Sequence, residues 1–273
     1  MNPPSPPAPP RWQPSPLLRA SVTLHAGAAV LTVLRPHVWP WTLGAVIADQ
    51  LLLTGLGLWP RSRGLGANLT RLPAAAAARG EVAITIDDGP DPEVTPRVLS
   101  ILAEHRAPAT FFCIGERATR FPACVRECAA AGHAIENHSY SHGLHFSLLG
   151  PARIGREIAR AQQVLGQLSG SAPRFFRAPA GLRNPLLDPA LQRQGLLLAS
   201  WTRRGFDTVS TDAALVLARL TRNLAAGDIL LLHDGHAALT PAGIPVVLDV
   251  LPRLLEALRQ RSLHPVTLRE ALR

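Results

Sequence analysis

The chain has 273 residues, 47% of them hydrophobic, which excludes a disordered protein and leaves room for one large domain with an appendage. Its net charge of +9 comes entirely from arginine, lysine being absent, and +6 of it lies in residues 1–80, where seven arginines face only Asp49. Residues 81–273 set 21 arginines against 18 acids, a balance of only +3, so a nucleic-acid-binding domain is not expected.

Residues 1–16, MNPPSPPAPPRWQPSP, are Pro-rich without periodicity and read as a disordered tail. Two apolar stretches follow, 20–34 and 38–59, separated by Arg-Pro-His. The second has the roughly 20 residues that a membrane-spanning helix needs. It also contains Asp49, which costs about 2.5–3.5 kcal/mol at the centre of such a helix. Trp39, Trp41 and Trp59 lie near its ends, where interfacial anchors sit. Residues 17–60 are therefore expected to form a membrane hairpin, the alternative being a helical pair packed on a soluble domain. Arg11 and Arg19 precede it and Arg61, Arg63 and Arg71 follow it, which by the positive-inside rule places both flanks in the cytoplasm. Residues 61–80 read as a linker.

From residue 81 onward, short β-rich runs alternate with amphipathic helical ones. Strands are predicted at 82–88, 109–115, 133–139, 175–181, 196–202, 228–234 and 265–268, and helices at 95–106, 151–168 and 245–261. This alternation calls for parallel strands with crossover helices, and several of the strands are apolar throughout, as when both faces are buried. About seven β/α units in one domain, 81–273, point to a barrel, with a doubly wound open sheet as the alternative. The three cysteines, Cys113, Cys124 and Cys128, show no disulfide-framework spacing and read as core residues.

Each predicted strand is apolar through its body and then ends in chemistry. The first ends in Asp87-Asp88, the third in His138 with His142 beyond it, and the fourth in Arg177. The fifth runs from Trp201 towards Asp207, and the sixth ends in His233-Asp234. In parallel β/α folds these C-terminal strand ends converge on one face, where active sites sit. Two imidazoles and one carboxylate make a three-ligand set that leaves a divalent metal an open position. The adjacent carboxylates of TIDDGPDP point in different directions, so one can bind metal while its neighbour serves as a base. Taken alone, Asp87-Asp88-Gly89-Pro90 would read as a strand-ending turn.

These motifs resemble the polysaccharide deacetylases, carbohydrate esterase family 4 with the NodB-type domain, across residues 81–273. The resemblance implies a distorted (β/α) barrel of about seven parallel strands. It implies Asp87 as general base and Asp88 as metal ligand, from TIDDG at 85–89. His138 and His142 match the family's two imidazole ligands, from HSYSH. Arg177 matches the arginine that holds the base carboxylate, His233 the general acid, and Leu231 a wall of the acyl pocket. Two departures stand out. Ala180 occupies a position where the family commonly has tyrosine, although its backbone N–H can still serve an oxyanion. The family's fourth motif is replaced by WTRRGFDT, leaving Asp207 to orient His233, with Trp201 either lining the pocket or belonging to the core.

The expected protein is thus a metal-dependent hydrolase that removes an N-acyl group, acetyl first among candidates, from an amino sugar in a glycan or lipid-linked saccharide. One divalent ion is expected, zinc, with cobalt, nickel or manganese as alternatives for such a donor set. The expected partners are that sugar and a membrane of the bacterial inner type, with no nucleic acid and no protein. Competing readings are an inactive metal-containing glycan-binding protein and a deacylase of small amides. Arg183, Arg203 and Arg204 lie on strand-end loops and either hold an anionic substrate or are solvated surface groups.

Overall fold

The computed structural model describes residues 12–273, so the first eleven residues of the expected tail lie outside it. Ser15 caps helix α1 (Pro16–Leu34), its hydroxyl accepting the Leu18 N–H with proline at the first helical position. A 3₁₀ turn, Pro36–Val38, leads into α2 (Trp39–Leu58). The two helices run antiparallel and are joined by a polar ladder. The Ser21 hydroxyl donates to Asp49 at 2.6 Å, Gln50 Nε2 lies 3.1 Å from His25 Nε2, and the hydroxyls of Thr32 and Thr42 meet at 2.7 Å. Asp49 therefore faces its partner helix. The remaining surface is apolar: only 11% and 17% of the two hydrophobic windows are buried, and each helix is long and apolar enough to cross a membrane.

The chain does not run free after α2. Leu65, Leu72 and Ala76 are buried, the last in α3 (Ala74–Ala78). Leu69 forms a parallel bridge with Ala199, and the Leu72 N–H donates to Gly227. Arg71 and Arg203 both hold the buried Asp228 carboxylate at 2.9 Å.

Strands and helices then alternate: β1 (Glu81–Asp87), α4 (Thr95–Glu104), β2 (Thr110–Cys113), α5 (Gly115–Arg120), α6 (Pro122–Ala130) and β3 (Ala134–Asn137). After these come α7 (Pro151–Ser169), β4 (Phe175–Phe176), α8 (Leu187–Arg193), β5 (Leu197–Leu198) and β6 (Arg203–Arg204). The last are α9 (Ala213–Thr221), β7 (Ile229–His233), α10 (Val246–Gln260), β8 (His264–Val266) and α11 (Leu268–Ala271). Every ladder is parallel, in the order β5-β4-β3-β2-β1-β7-β6, with β8 pairing the first residues of β1. The result is a curled, distorted (β/α) barrel. The 61–80 segment crosses between its two edges, bonding beside β5 through Leu69 and just before β7 through Leu72.

Alternation along the strands sorts the side chains. Val82, Ile84, Ile86, Phe111, Cys113, Leu230 and Leu232 pack outward under the helices. Ala83, Phe112, Phe175, Ile229 and Leu231 fill the interior. By the same alternation, Thr85, Asp87, Arg177 and His233 point inward at the C-terminal mouth.

The differences from the sequence-based expectation are local. The predicted strand 175–181 stops at Phe176, because the chain turns through Pro179 and Ala180, which has φ +54°. Of the predicted strand 196–202 only Leu197–Leu198 forms, as β5, and Arg203–Arg204 just beyond it has no apolar signature that would announce β6. All three cysteines are free and buried, and burial pushes the Cys113 and Cys128 thiols up, so they are inert core groups.

Candidate active site

Two neighbouring carboxylates leave β1 in opposite roles. Asp87, still on the strand, points inward and meets Arg177, whose Nη1 donates to Asp87 Oδ1 at 2.6 Å. Arg177 is wholly buried, and burial pulls its guanidinium down while Asp87 pushes it up. Its other N–H groups serve Thr85 Oγ1 and the carbonyls of Ala199 and Ser200, and its plane lies 4.1 Å from the Phe112 ring. A buried cation so fully satisfied is fixed in place, and it fixes Asp87.

Asp88 has φ +73°, a left-handed conformation that aspartate tolerates better than most residues. That turn carries its carboxylate away from Asp87 towards the histidines. Gly89 follows because a Cβ there would sit 2.5 Å from both carboxylate oxygens of Asp234. Asp234 is entirely buried, pushed up to about 7 by that burial, and accepts the Thr95 hydroxyl at 2.5 Å. It braces the turn and orients no imidazole.

HSYSH is not a helical turn. Asn137 Oδ1 accepts the Ser139 N–H and Ser139 Oγ accepts the His142 N–H, with Ser139 and His142 at φ +65° and +51°. This side-chain-bonded bend brings the two rings to a centroid separation of 4.8 Å. His138 Nδ1 lies 2.8 Å from the Arg177 carbonyl, which only an Nδ1–H can serve, so its Nε2 lone pair faces Asp88. The Nε2 atoms of His138 and His142 lie 3.2 and 3.1 Å from Asp88 Oδ1, yet that buried oxygen accepts no well-formed hydrogen bond. Burial pushes the Asp88 carboxyl up, but His138, His142 and His236 outweigh it and hold it far below the usual carboxylate range.

An orphaned carboxylate oxygen facing two imidazole nitrogens is what a shared cation would resolve. Ligands about 2.0–2.1 Å from a tetrahedral ion lie roughly 3.3 Å apart. All three donor atoms fall within 4.8 Å of one another, so Asp88, His138 and His142 could hold a metal ion.

On the adjacent strand β7, the register sets His233 beside Asp87 of β1. Asp207 grips His233 twice, Oδ1 at 2.9 Å from Nδ1 and Oδ2 accepting its backbone N–H at 2.7 Å. Burial lowers the His233 imidazole, but the hydrogen bond and charge of Asp207 outweigh it and leave it raised. Ala180 presents a backbone N–H with no acceptor among the described residues, held there by its strained φ of +54°. Asp87, Asp88, His138, His142, Ala180, Trp201, Leu231 and His233 all line one cavity of about 560 Å³. Arg177 and Asp207 stand behind it.

The sequence reading missed several groups. His236, which the sequence fits equally to the site rim or to an exposed loop, reaches Asp88 Oδ2 at 3.1 Å. Arg117 donates to the Asp88 carbonyl at 3.0 Å and lines the cavity. The end of β2 was the signal for Arg117, since it is one more strand end at the same mouth. Arg183 and Arg203, weighed as anion holders, are spent inside the protein. Arg183 binds Asp188 and the Ser62 carbonyl, while Arg203 binds Asp228 and two further carbonyls.

Known proteins resemble this chain in sequence and fold. Residues 75–199 match the family model described as polysaccharide deacetylase. A peptidoglycan-N-acetylglucosamine deacetylase of Bacillus cereus is 32% identical over 194 residues, covering 70% of this chain and 67% of that protein. A chitooligosaccharide deacetylase of Sinorhizobium fredii is 34% identical over 207 residues, covering 71% of this chain and 93% of that protein. The family 4 carbohydrate esterase of Streptomyces lividans, solved in complex with acetate, matches with a TM-score of 0.62 and 31% identity, over 68% of this chain and 91% of that one. The barrel and its mouth are thus those of a hydrolase acting on amide C–N bonds. The chain belongs to the polysaccharide deacetylase family.

Proposed function

We propose that the protein removes the N-acetyl group from an amino sugar, in a glycan or a lipid-linked saccharide, with a zinc ion held by Asp88, His138 and His142. Bound there, the ion supplies Lewis acidity for attack on an amide carbonyl. Asp87, held by Arg177 beside the donor set, takes the proton from the attacking water. The free N–H of Ala180 donates to the oxyanion as the carbonyl carbon becomes tetrahedral. His233, kept protonated by Asp207, gives its proton to the departing amine, so the C–N bond breaks to acetate and a free amino sugar. Leu231 and Trp201 line the apolar side of the cavity, where a methyl group would lie.

The observation that carries this reading is a base and an acid on neighbouring strands lining one cavity, each fixed by its own buried partner. Relatives named for N-acetylglucosamine and chitooligosaccharide deacetylation, and one solved with acetate, support acetyl as the acyl group. We also read residues 17–60 as embedded in a membrane. Support comes from the exposed apolar surface and from the chain's entering and leaving the hairpin on one side, where the Ser15 hydroxyl donates to Gly64. The flanking arginines put that side in the cytoplasm. For the catalytic part, Asp87→Asn is the test. Asparagine still accepts from Arg177, so fold and bound metal persist while acetate release from N-acetylglucosamine oligomers falls about 10²–10⁴-fold. An Asp87→Asn protein with unchanged turnover would overturn the assignment.

A further inference from the structure

The catalytic cavity has a neighbour at Trp201. A second groove of about 910 Å³ opens there, sharing Trp201 and Arg204 with the first. Arg61, Arg203, Arg204, Arg219 and Arg222 line it, and no carboxylate does. Arg203 is committed to Asp228, but among the described residues the other four make no ion pair. Arg61 gives one N–H to the Thr202 carbonyl and Arg219 one to Gly205, each at 3.3 Å. Arg204 stacks 4.9 Å from Phe206 and 5.6 Å from Trp201, and its buried Nε has no acceptor. Aromatic faces near a guanidinium leave its fork of donors free, the presentation that suits a phosphate. Three of the four, Arg204, Arg219 and Arg222, stand in residues 81–273, which carry only +3 overall, and Arg61 joins them from the hairpin end, so the clustering is local.

The far wall of the groove is the end of the apolar hairpin, through Trp59, Pro60 and Arg61. That end is locked to the loop bearing Ala180. The Arg183 N–H donates to the Gly57 carbonyl at 3.1 Å, and a Cβ on Gly57 would lie 2.2 Å from the Arg183 oxygen. Pro60 packs where a Cβ on Gly181 would meet it at 2.7 Å. The hairpin end thus walls the arginine groove, and the groove adjoins the catalytic cavity at Trp201 and Arg204.

We propose that this groove holds the phosphate or diphosphate of a lipid-linked, N-acylated amino sugar. The sugar reaches past Trp201 to Asp87 and His233 while the apolar tail stays beside the hairpin. This names the substrate class of the catalytic site and rests on the deacylase reading above.

The test uses the zinc-loaded full chain in nanodiscs and follows release of free amine. Three probes are compared: N-acetylglucosamine linked through a diphosphate to a prenyl chain, UDP-N-acetylglucosamine, and the neutral N-acetylglucosamine trisaccharide. The expected result is a preference in kcat/KM for the lipid diphosphate over the trisaccharide. The double variant Arg61→Glu/Arg222→Glu, at two exposed side chains, should cut that preference about tenfold or more through KM. Added salt should erode the same preference. The proposal is overturned if the lipid diphosphate is no better than the trisaccharide, or if the double variant slows both equally. Equal preference for UDP-N-acetylglucosamine would overturn the lipid assignment while leaving a phosphate site. If metal-loaded protein releases amine from none of the three, the deacylase reading fails, and this proposal with it.

Discussion

The barrel and the hairpin are both rich in apolar residues and dispose of them in opposite ways. In the barrel, Ile84, Phe112, Phe175 and Leu232 are fully buried, and the charges that enter the interior are matched, Asp87 by Arg177 and His233 by Asp207. In the hairpin, Val22, Val33, Leu34, Trp41 and Leu51 each expose more than two-thirds of their surface, while the polar residues turn inward to a seam. A fold in water hides its apolar groups and spends buried polar contacts on function. The hairpin inverts the first half of that rule, which is the pattern of helices whose solvent is lipid. The two regions meet at Gly57, Pro60 and Arg183, beside the catalytic mouth.

That contrast can be broken at its strongest point by Arg177→Met. The change leaves Asp87 buried without its cation and should destabilise the barrel by about 3–5 kcal/mol, measured by denaturant unfolding in detergent. A loss below about 1 kcal/mol would mean the interior charge is not held as described. Asp207→Asn should have a smaller and pH-dependent effect. The raised His233 pKa supplies stability that is fully present below the unfolded value of about 6.5 and is lost as pH rises through the folded one. The variant should therefore lose more stability at pH 6 than at pH 9. It should also move the basic limb of kcat to lower pH, since burial is then opposed only by the charges of Asp87 and Asp88. An unmoved limb would remove His233 from the role of acid. The smallest effect is expected at Leu51→Ser, on the exposed face of α2. Barrel stability should stay within about 0.5 kcal/mol, while the fraction of protein resisting carbonate extraction from membranes falls. A large loss of barrel stability would instead mark the hairpin as an ordinary packed element.

Most of the barrel was legible because its strands are short apolar runs that stop at charged or imidazole-bearing residues, as at Asp87 and His233. The β/α alternation and the period-2 sorting follow from the same residues. Less legible were features that depend on backbone turns and on distant partners. The left-handed turns at Asp88, Ser139 and His142 aim the donor set, yet none falls on glycine, the residue that would have announced them. His236 touches Asp88 only because β7 returns beside β1. Arg183 and Arg203 look like free loop cations until the contacts of Ser62 and Asp228 are known. The packing of residues 61–80 across the barrel's edges likewise rests on single backbone contacts, such as Leu69 with Ala199, that leave no periodic trace.

The most direct test of the account is an anomalous-scattering crystal structure of the zinc-loaded protein. One ion should lie about 2.0–2.2 Å from a carboxylate oxygen of Asp88 and from Nε2 of both His138 and His142, with Asp87 unligated beside it. An ion bound elsewhere, or one that takes Asp87 as a ligand in place of Asp88, would contradict it.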